Sequence, residues 1–199
     1  MDKHKDFDFI EIGSCDFDTL IQQSTNEFGI VVEAVKQYLD NLPDKPNVIK
    51  INAAVSPDNS EGEADFFYVP PEHIEENNLK DWLRGCNTID NMHFQHESLN
   101  LQDYVKVIKV KKYPLHKILE DNLVRGIGHL KIDIEGRDSE LLKNFLPYLR
   151  SKTKEYWPKM ITFETNSLTP SQYVTEVIDL YTNLGYKVKS RKENTILVL

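Results

Sequence analysis

The chain has 199 residues, of which 40% are hydrophobic and 10% aromatic, and its formal net charge is −8. This length fits a single domain over residues 1–199 that buries roughly 70% of its unfolded surface. The acidic balance argues against a nucleic-acid partner, which requires clustered Lys and Arg. Lysines of the basic stretch 106–112 alternate with Val and Ile, a pattern typical of a half-buried strand.

Cys15 and Cys86 are far apart in the sequence and form no CxxC pair, so we expect reduced thiols rather than a disulfide framework. Residues 1–6 lack the apolar core of a signal peptide, and no apolar run approaches the roughly 18 residues that cross a bilayer. The sequence therefore predicts a cytoplasmic protein without a membrane partner.

Strands and helices alternate at the start of the chain. Apolar runs predict strands over residues 7–13, 29–33 and 48–55, and helix-compatible spacing predicts helices over 16–23 and 36–42. This alternation favours a parallel sheet with helices on both faces.

The middle of the chain is less regular. A polar turn over 56–62 and a short aromatic strand over 64–69 could form an antiparallel addition after the third strand. Residues 70–101 lack clear periodicity, and long segments of this kind are often lids or binding loops. A strand over 105–110 and a short helix over 114–122 follow.

Regular alternation returns in the last third of the chain and ends in a hairpin. The predicted elements are a strand over 129–135, a helix over 139–149, a strand over 160–166, a helix over 170–184 and a terminal hairpin of 186–190 and 195–199.

Polar residues recur at the carboxyl ends of the predicted strands, where ligands bind in an open α/β sheet. Gly13 lets a ligand approach the backbone, and Glu33, about 20 residues later, has the spacing of an acid that binds a ribose diol. We therefore expect one crevice lined by four motifs: Glu11-Ile12-Gly13-Ser14, Glu33-Ala34, Asn52-Ala53-Ala54-Val55 and Asp133-Ile134-Glu135-Gly136.

The turn after the first strand distinguishes between nucleotide ligands. It lacks the G-x-G-x-x-G series that brings backbone to a pyrophosphate. Asp16 and Asp18 would repel the phosphates of a dinucleotide, but they suit a nucleoside with positive charge, such as the sulfonium and amine of S-adenosylmethionine. This turn therefore favours a methyl donor over NAD.

The order and spacing of these motifs resemble those of the FkbM-type methyltransferases over nearly the whole chain. In the first turn, Glu11, Cys15 and Phe17 stand where the family pattern Asp-x-Gly-Ala-Asn-x-Gly has Asp, Asn and Gly. The more specific matches are Asn-Ala-Ala-Val-Ser and Lys-Ile-Asp-Ile-Glu-Gly. The matching segments are 9–14, 32–35, 52–56 with 64–69, 130–136, 163–164 and 184–188.

The resemblance implies an α/β, Rossmann-like (class I methyltransferase) fold: a mostly parallel seven-stranded sheet with helices on both faces and a C-terminal antiparallel hairpin. It also implies an S-adenosyl-L-methionine-dependent O-methyltransferase that acts on a hydroxyl or carboxyl group of a small molecule or glycan. In that setting residues 70–101 would form a lid or acceptor-binding segment. Two alternatives remain open: an NAD(P)-dependent oxidoreductase, and a non-catalytic binding module that retains the fold.

The resemblance further implies roles for the residues at the strand ends. Glu33 would bind the ribose hydroxyls of the donor, and Ala34 would flank its adenosine. Asp133 and Glu135 would face the transferring methyl or the acceptor. The methionine end would be held by Glu11, Gly13 and Ser14, with the adenine near Asn52, Ala53 and Ala54.

Asp133 and Glu135 are the candidate catalytic residues, because a positioned carboxylate can remove the proton of the acceptor hydroxyl. Their i, i+2 spacing on a strand would put both on one face of the sheet. The alternative interpretation is that one of them caps the helix after Gly136, where negative charge is favourable.

No metal is predicted, because the acidic residues show no strong metal-ligand spacing. A divalent ion held by Asp133, Glu135 and Glu164 is conceivable in a methyltransferase. His93 and His96 could act as a base or as metal ligands. Unpaired loop histidines are more often solvated, and we expect that of these two.

Overall fold

Strands and helices alternate along most of residues 4–199, the part of the chain that the computed structural model describes. The strands are β1 (Lys5–Ile12), β2 (Gly29–Glu33), β3 (Val48–Asn52), β4 (Ala54–Ser56), β5 (Gly62–Tyr68), β6 (Thr88–Ile89), β7 (Lys106–Pro114), β8 (Val124–Ile132), β9 (Pro158–Glu164), β10 (Lys187–Arg191) and β11 (Asn194–Val198). The α-helices are α1 (Leu20–Gln23), α2 (Lys36–Asn41), α3 (Pro71–Glu76), α4 (Phe94–Ser98), α5 (Leu115–Asp121), α6 (Asp138–Ser151) and α7 (Ser171–Asn183). None of these helices is long and apolar enough to cross a membrane. The prediction about a signal peptide over 1–6 falls partly on residues 1–3, which lie outside the described residues.

The central sheet has seven strands in the order β10-β11-β9-β8-β1-β2-β3. The pairs from β3 to β9 are parallel, whereas β11 runs antiparallel to both β9 and β10. All five residues of β2 are buried, as expected for an apolar run that is covered on both faces. The predicted mostly parallel sheet and its C-terminal hairpin are therefore confirmed.

Helices cover both faces of this sheet, because successive side chains of a strand point to opposite sides. Ile10 of β1 packs in the large core cluster that includes Leu142 of α6 and Val177 of α7. Its neighbour Phe9 belongs to a smaller cluster with Leu39 of α2. The two clusters form the two layers between sheet and helices.

A second sheet of four strands, in the order β4-β7-β5-β6, lies beside the first. Ala54 of β4 pairs with Lys112 of β7, and β5 runs antiparallel to β7. The single strand predicted over 48–55 is therefore wrong: Asn52 ends β3, and the chain crosses at Ala53 into the second sheet. The half-buried strand predicted from the alternating lysines is confirmed as part of β7.

The helix predicted over 16–23 is wrong over its first half. Helix α1 begins at Leu20, and the hydroxyl of Thr19 caps it by accepting the backbone N–H of Gln22. The preceding residues form an irregular turn in which Cys15 and Asp18 have φ angles of 49° and 53°. Such left-handed residues cannot continue a right-handed helix.

Residues 70–101 contain more regular structure than their sequence suggested. They form α3, a 3-10 turn over Asp81–Arg84, β6 and α4. The segment has its own apolar cluster, which includes Ile74, Leu83, Cys86 and Leu101. This cluster packs the segment on itself, and pairing of β6 with β5 joins the segment to the second sheet.

Candidate active site

A cavity of about 500 Å³ lies at the carboxyl ends of β1, β2 and β8, with residues of β4 and of the segment 70–101 completing its walls. This is the edge at which open α/β sheets bind ligands. Most of the residues predicted for the site line this cavity: Gly13, Ser14, Glu33, Ala34, Ala53, Ala54, Asp133 and Glu135.

Gly13 joins the first turn to the turn after β8. Its φ is +72°, a conformation that L side chains rarely adopt, and its N–H donates to the carbonyl of Val32 at 3.0 Å. A Cβ at this position would collide with the carbonyl oxygen of Asp133. Only glycine therefore lets these two turns pack together and frame the cavity.

Glu33 is buried at the end of β2, with 4% of its surface exposed. Its Oε2 accepts the N–H of Cys15 and its Oε1 accepts the N–H of Val35, each at 2.8 Å. Burial raises the pKa of this carboxyl to about 7, although these backbone donors oppose the shift. Glu33 thus ties the first turn to the end of β2 while it lines the cavity.

Glu11 does not line the cavity. Its side chain is fully buried, where Oε2 accepts the N–H of Leu20 at 2.8 Å and Oε1 accepts Nζ of Lys131 at 2.8 Å. Burial raises the pKa of the Glu11 carboxyl, and the charge of Lys131 opposes this shift. Glu11 therefore stabilises the start of α1 behind the site.

Asn52 also lies outside the cavity lining. Its Nδ2 donates to the carbonyls of Glu33 and Ala34, each at 2.9 Å. Asn52 therefore holds the backbone of the turn after β2 in place. Its neighbours Ala53 and Ala54 reach the cavity because the chain crosses there into the second sheet.

The turn after β8 differs from the predicted strand end. Strand β8 stops at Ile132, and Glu135 has a φ of +55°, so the i, i+2 relation expected along a strand does not apply to Asp133 and Glu135. The capping interpretation is also wrong. Helix α6 begins at Asp138, and neither candidate carboxylate caps its N-terminus.

Four carboxyl groups lie close together around this turn, and burial is the main reason that the pKa of each is raised. The pKa values are about 6 for Asp133, about 8 for Glu135, about 9 for Glu164 and about 7 for Asp138. Repulsion from neighbouring carboxylates raises the pKa of Glu135, Glu164 and Asp138 further. This side of the cavity is therefore prepared for positive charge or for proton transfer.

Asp138 was not anticipated from the sequence, where the helix was predicted to begin one residue later. It is fully buried, and its carboxylate accepts the N–H of Ile134 at 3.3 Å and the N–H of Glu164 at 3.2 Å. These bonds fix the turn after β8 against the end of β9. An acidic residue in the first turn of a helix was the available sequence signal.

The segment 70–101 supplies one wall of the cavity through Trp82, Gly85 and Asn87. Arg84 of the same segment forms an ion pair with Asp16 of the first turn. The carbonyl of Arg84 also lies 3.5 Å from Sγ of Cys15. These contacts hold the wall against the first turn.

The two histidines of this segment are buried, so the expectation that they are solvated is wrong. His93 is 4% exposed, and its Nε2 lies 3.5 Å from Oε2 of Glu135. His96 is fully buried and neither ring nitrogen has a hydrogen-bond partner. Ligand atoms of Cys86, His93 and Glu135 lie within 4.8 Å of one another, a group that could hold a metal ion.

The central sheet and the cavity at its carboxyl edge define an α/β protein of the Rossmann-like class. A sequence model of the methyltransferase FkbM domain matches residues 11–188. The chain therefore belongs to this family of methyltransferases. Neither the comparison with curated proteins nor the comparison with solved structures gives a match.

Proposed function

We propose that this protein transfers a methyl group from S-adenosyl-L-methionine to a hydroxyl group of a small molecule or glycan. The observation that carries the proposal is the acidic cavity at the carboxyl edge of the sheet. The cations that line it within the described chain, Lys131 and Arg137, are each paired with carboxylates. The cavity therefore suits a nucleoside that carries positive charge.

Residues of the first two strand ends would hold the donor. The Glu33 carboxylate accepts the backbone N–H groups of Cys15 and Val35 and also lines the cavity, where it can accept a ribose hydroxyl. Ala34, Ala53 and Ala54 offer small apolar surfaces beside it for the adenine. The turn at Gly13 and Ser14 leaves backbone close to the space for the methionine end.

Glu11 supports the donor site in a different way from the direct charge contact implied by the resemblance. Its carboxylate is neutralised by Lys131 and orders the start of α1. Asp133 lines the cavity beside the first turn, and we assign to it the contact with the positive charge of the donor.

The donor, when bound, supplies an electrophilic methyl group on a positively charged sulfur. The protein has to align the acceptor oxygen with that methyl, which can contribute several kcal/mol to the lowering of the barrier. It also has to remove the hydroxyl proton, for which Asp133 and Glu135 are the candidates, and a positioned base typically adds about 10²–10⁴-fold in rate. A carboxylate acceptor is disfavoured, because the Lys and Arg residues of the described chain that line the cavity are already paired with Glu11 and Glu140.

Calorimetry with S-adenosyl-L-homocysteine, the demethylated product, tests the donor site, and NAD serves as the control ligand. We expect binding of the product and none of NAD, whose phosphates the acidic cavity repels. Binding of NAD alone would support an oxidoreductase and overturn the proposal. Product binding without turnover of labelled donor on neutral hydroxylated acceptors would support a non-catalytic module.

A further inference from the structure

A second cavity of about 350 Å³ opens beside the first. The two cavities share Thr88, Ile89, Glu135 and Arg137 in their linings. The carboxylate of Glu135 therefore stands at the junction between the donor cavity and this neighbouring space. A methyl acceptor has to approach the donor from such a space.

His93 faces Glu135 at this junction with one particular nitrogen. Its Nδ1 accepts the backbone N–H of Gln95 at 3.2 Å, so the proton of the neutral ring is on Nε2. Nε2 lies 3.5 Å from Oε2 of Glu135, and hydrogen bonds of catalytic groups often shorten when ligands bind. Burial lowers the pKa of His93, which keeps the ring neutral.

The same tautomer argues against a metal ion between Cys86, His93 and Glu135. A metal-bound imidazole normally donates its other ring N–H to an acceptor. Here the other nitrogen, Nδ1, already accepts an N–H from Gln95. A metal on Nε2 would therefore require this bond to break, whereas donation from Nε2 to Glu135 requires no change.

The lining of the second cavity indicates the chemistry of its ligand. Met92, Phe94 and Leu168 form an apolar side, and Phe94 is 50% exposed. The guanidinium of Arg137 is occupied, because it binds Glu140 at 2.9 Å and 3.0 Å and lies 3.7 Å from Asp90. No other Lys or Arg of the described chain lines this cavity, so an anionic ligand would lack a partner.

We propose that the second cavity binds the methyl acceptor, a neutral hydroxylated compound with one apolar face, and that Glu135, oriented by His93, takes the proton of its hydroxyl. The inference rests on the proposed function. As the acceptor oxygen forms its bond to the methyl carbon, the hydroxyl proton passes to Glu135. The carbon–sulfur bond breaks with its electron pair on sulfur, so the products are a methyl ether, a neutral thioether and a protonated Glu135.

His93 acts in this scheme as a positioning residue, because its N–H favours the ionised form of Glu135. The ionisable groups that face Glu135 are Asp133 on its own turn, Glu164 at the end of β9, Cys86 and His93 on the segment 70–101, and Arg137 before α6. Activity should rise with pH as Glu135 ionises. Loss of the His93 donor should shift this rise to higher pH.

A pair of substitutions at His93 tests the positioning role. His93→Asn keeps an oxygen near Nδ1 that can accept the N–H of Gln95 but removes the donor, whereas His93→Gln places an amide N–H near the position of Nε2. We expect kcat about tenfold lower in His93→Asn with the acid limb moved to higher pH, and partial rescue in His93→Gln. Affinity for S-adenosyl-L-homocysteine should stay unchanged in both variants. The melting temperature should fall more in His93→Gln, which loses the acceptor for the N–H of Gln95, than in His93→Asn.

The acceptor assignment is tested with neutral methyl glycosides and neutral phenols as candidate substrates. D-Glucuronate serves as the anionic control. We expect methylation of a neutral probe and a higher KM for it in Phe94→Ala, while donor affinity persists. Turnover of glucuronate alone, or of no probe, would overturn the acceptor assignment while product binding still supports the donor site. An unchanged pH profile in His93→Asn, or stoichiometric zinc with loss of activity on chelation, would overturn the role of His93.

Discussion

The carbonyl oxygen of Asp133 occupies the space in which a side chain on Gly13 would lie. The backbone N–H of Asp133 also donates to the carbonyl of Ile12 at 2.9 Å. The turn after β1 and the turn after β8 are therefore packed closely against each other through backbone atoms. The two sides of the cavity that we assign to the donor and to the reacting groups share this contact, so the geometry of one depends on the other.

Substitution of Gly13 should destabilise the protein through both conformation and contact. Gly13→Ala has to adopt a φ of +72° and to displace the backbone of Asp133. We expect a loss of about 2–4 kcal/mol in the free energy of unfolding, measured by urea denaturation. Gly62→Ala is the matched control, because Gly62 also has a positive φ but no atom lies within 4 Å of its Cβ position. Equal losses in the two variants would refute the contact with Asp133.

Glu33 should matter for donor binding more than for turnover once the donor is bound. Glu33→Gln keeps one carbonyl oxygen for a backbone N–H but loses the charged acceptor for the ribose hydroxyls. We expect the Kd for S-adenosyl-L-homocysteine to rise by about 10–100-fold, which corresponds to about 1.5–3 kcal/mol. Calorimetry measures the change, with the exposed Glu76→Gln as control. An unchanged Kd would remove Glu33 from the donor site.

Removing one partner of the Glu11–Lys131 ion pair should destabilise the fold more than removing both. Lys131→Met leaves the fully buried carboxylate of Glu11 without its counter-charge, for which we expect a loss of about 3–5 kcal/mol. The double variant Glu11→Gln, Lys131→Met should recover part of this loss, because no buried charge is left unpaired. Urea denaturation of both single variants and the double variant measures the coupling. Additive effects would show that the two side chains do not interact.

Substitutions of Asp133 and Glu135 should differ in their effects on donor affinity and on kcat. Asp133→Asn removes the charge that we assign to donor contact, so both donor affinity and kcat should fall. Glu135→Gln removes the proposed base, so kcat should fall by about 10²–10⁴-fold with donor affinity nearly unchanged. Single-turnover kinetics and product calorimetry on both variants measure the two effects. The reverse pattern would exchange the two assignments.

The stability of the unliganded protein should decrease between about pH 7 and about pH 8.5. In the unfolded chain, Asp and Glu have pKa values near 4 and are ionised throughout this range. In the folded protein burial raises the pKa of Glu135 to about 8 and of Glu164 to about 9, so the folded state binds more protons. Stability therefore falls as pH rises.

Other groups contribute less within this window. Glu33 and Asp138, whose pKa burial raises to about 7, titrate at its lower edge and act in the same direction. Histidines of the unfolded chain are mostly neutral above about pH 7, burial lowers the pKa of the folded His93 and His96, and cysteines of the unfolded chain reach half ionisation only at about pH 8.5. Urea midpoints across the window measure the slope. Glu164→Gln should flatten it, whereas the exposed Glu75→Gln should not. A midpoint that rises with pH would contradict the clustering of the carboxyl groups.

Local patterns in the sequence were sufficient for the central sheet and for much of the cavity lining. The apolar run Ile30-Val31-Val32 of β2 and the alternation of strands with helices predict a parallel sheet covered on both faces. Gly13, Glu33, Asp133 and Glu135 follow strands, and parallel strands bring their carboxyl ends to one edge. These residues therefore line the cavity as the sequence indicated.

Tertiary structure decided which polar groups face the cavity and which support them. Glu11 pairs with Lys131, which lies 120 positions away in the sequence. His93 of the segment 70–101 faces Glu135 of the turn after β8. The crossing at Ala53 depends on pairing of β4 with β7, whose residues follow some 58 positions later. Periodicity and turn chemistry report only on neighbours along the chain, whereas these contacts form when distant segments pack. The sequence by itself therefore determined the sheet and the edge at which the cavity lies, and packing determined the partners, burial and charge state of the side chains there.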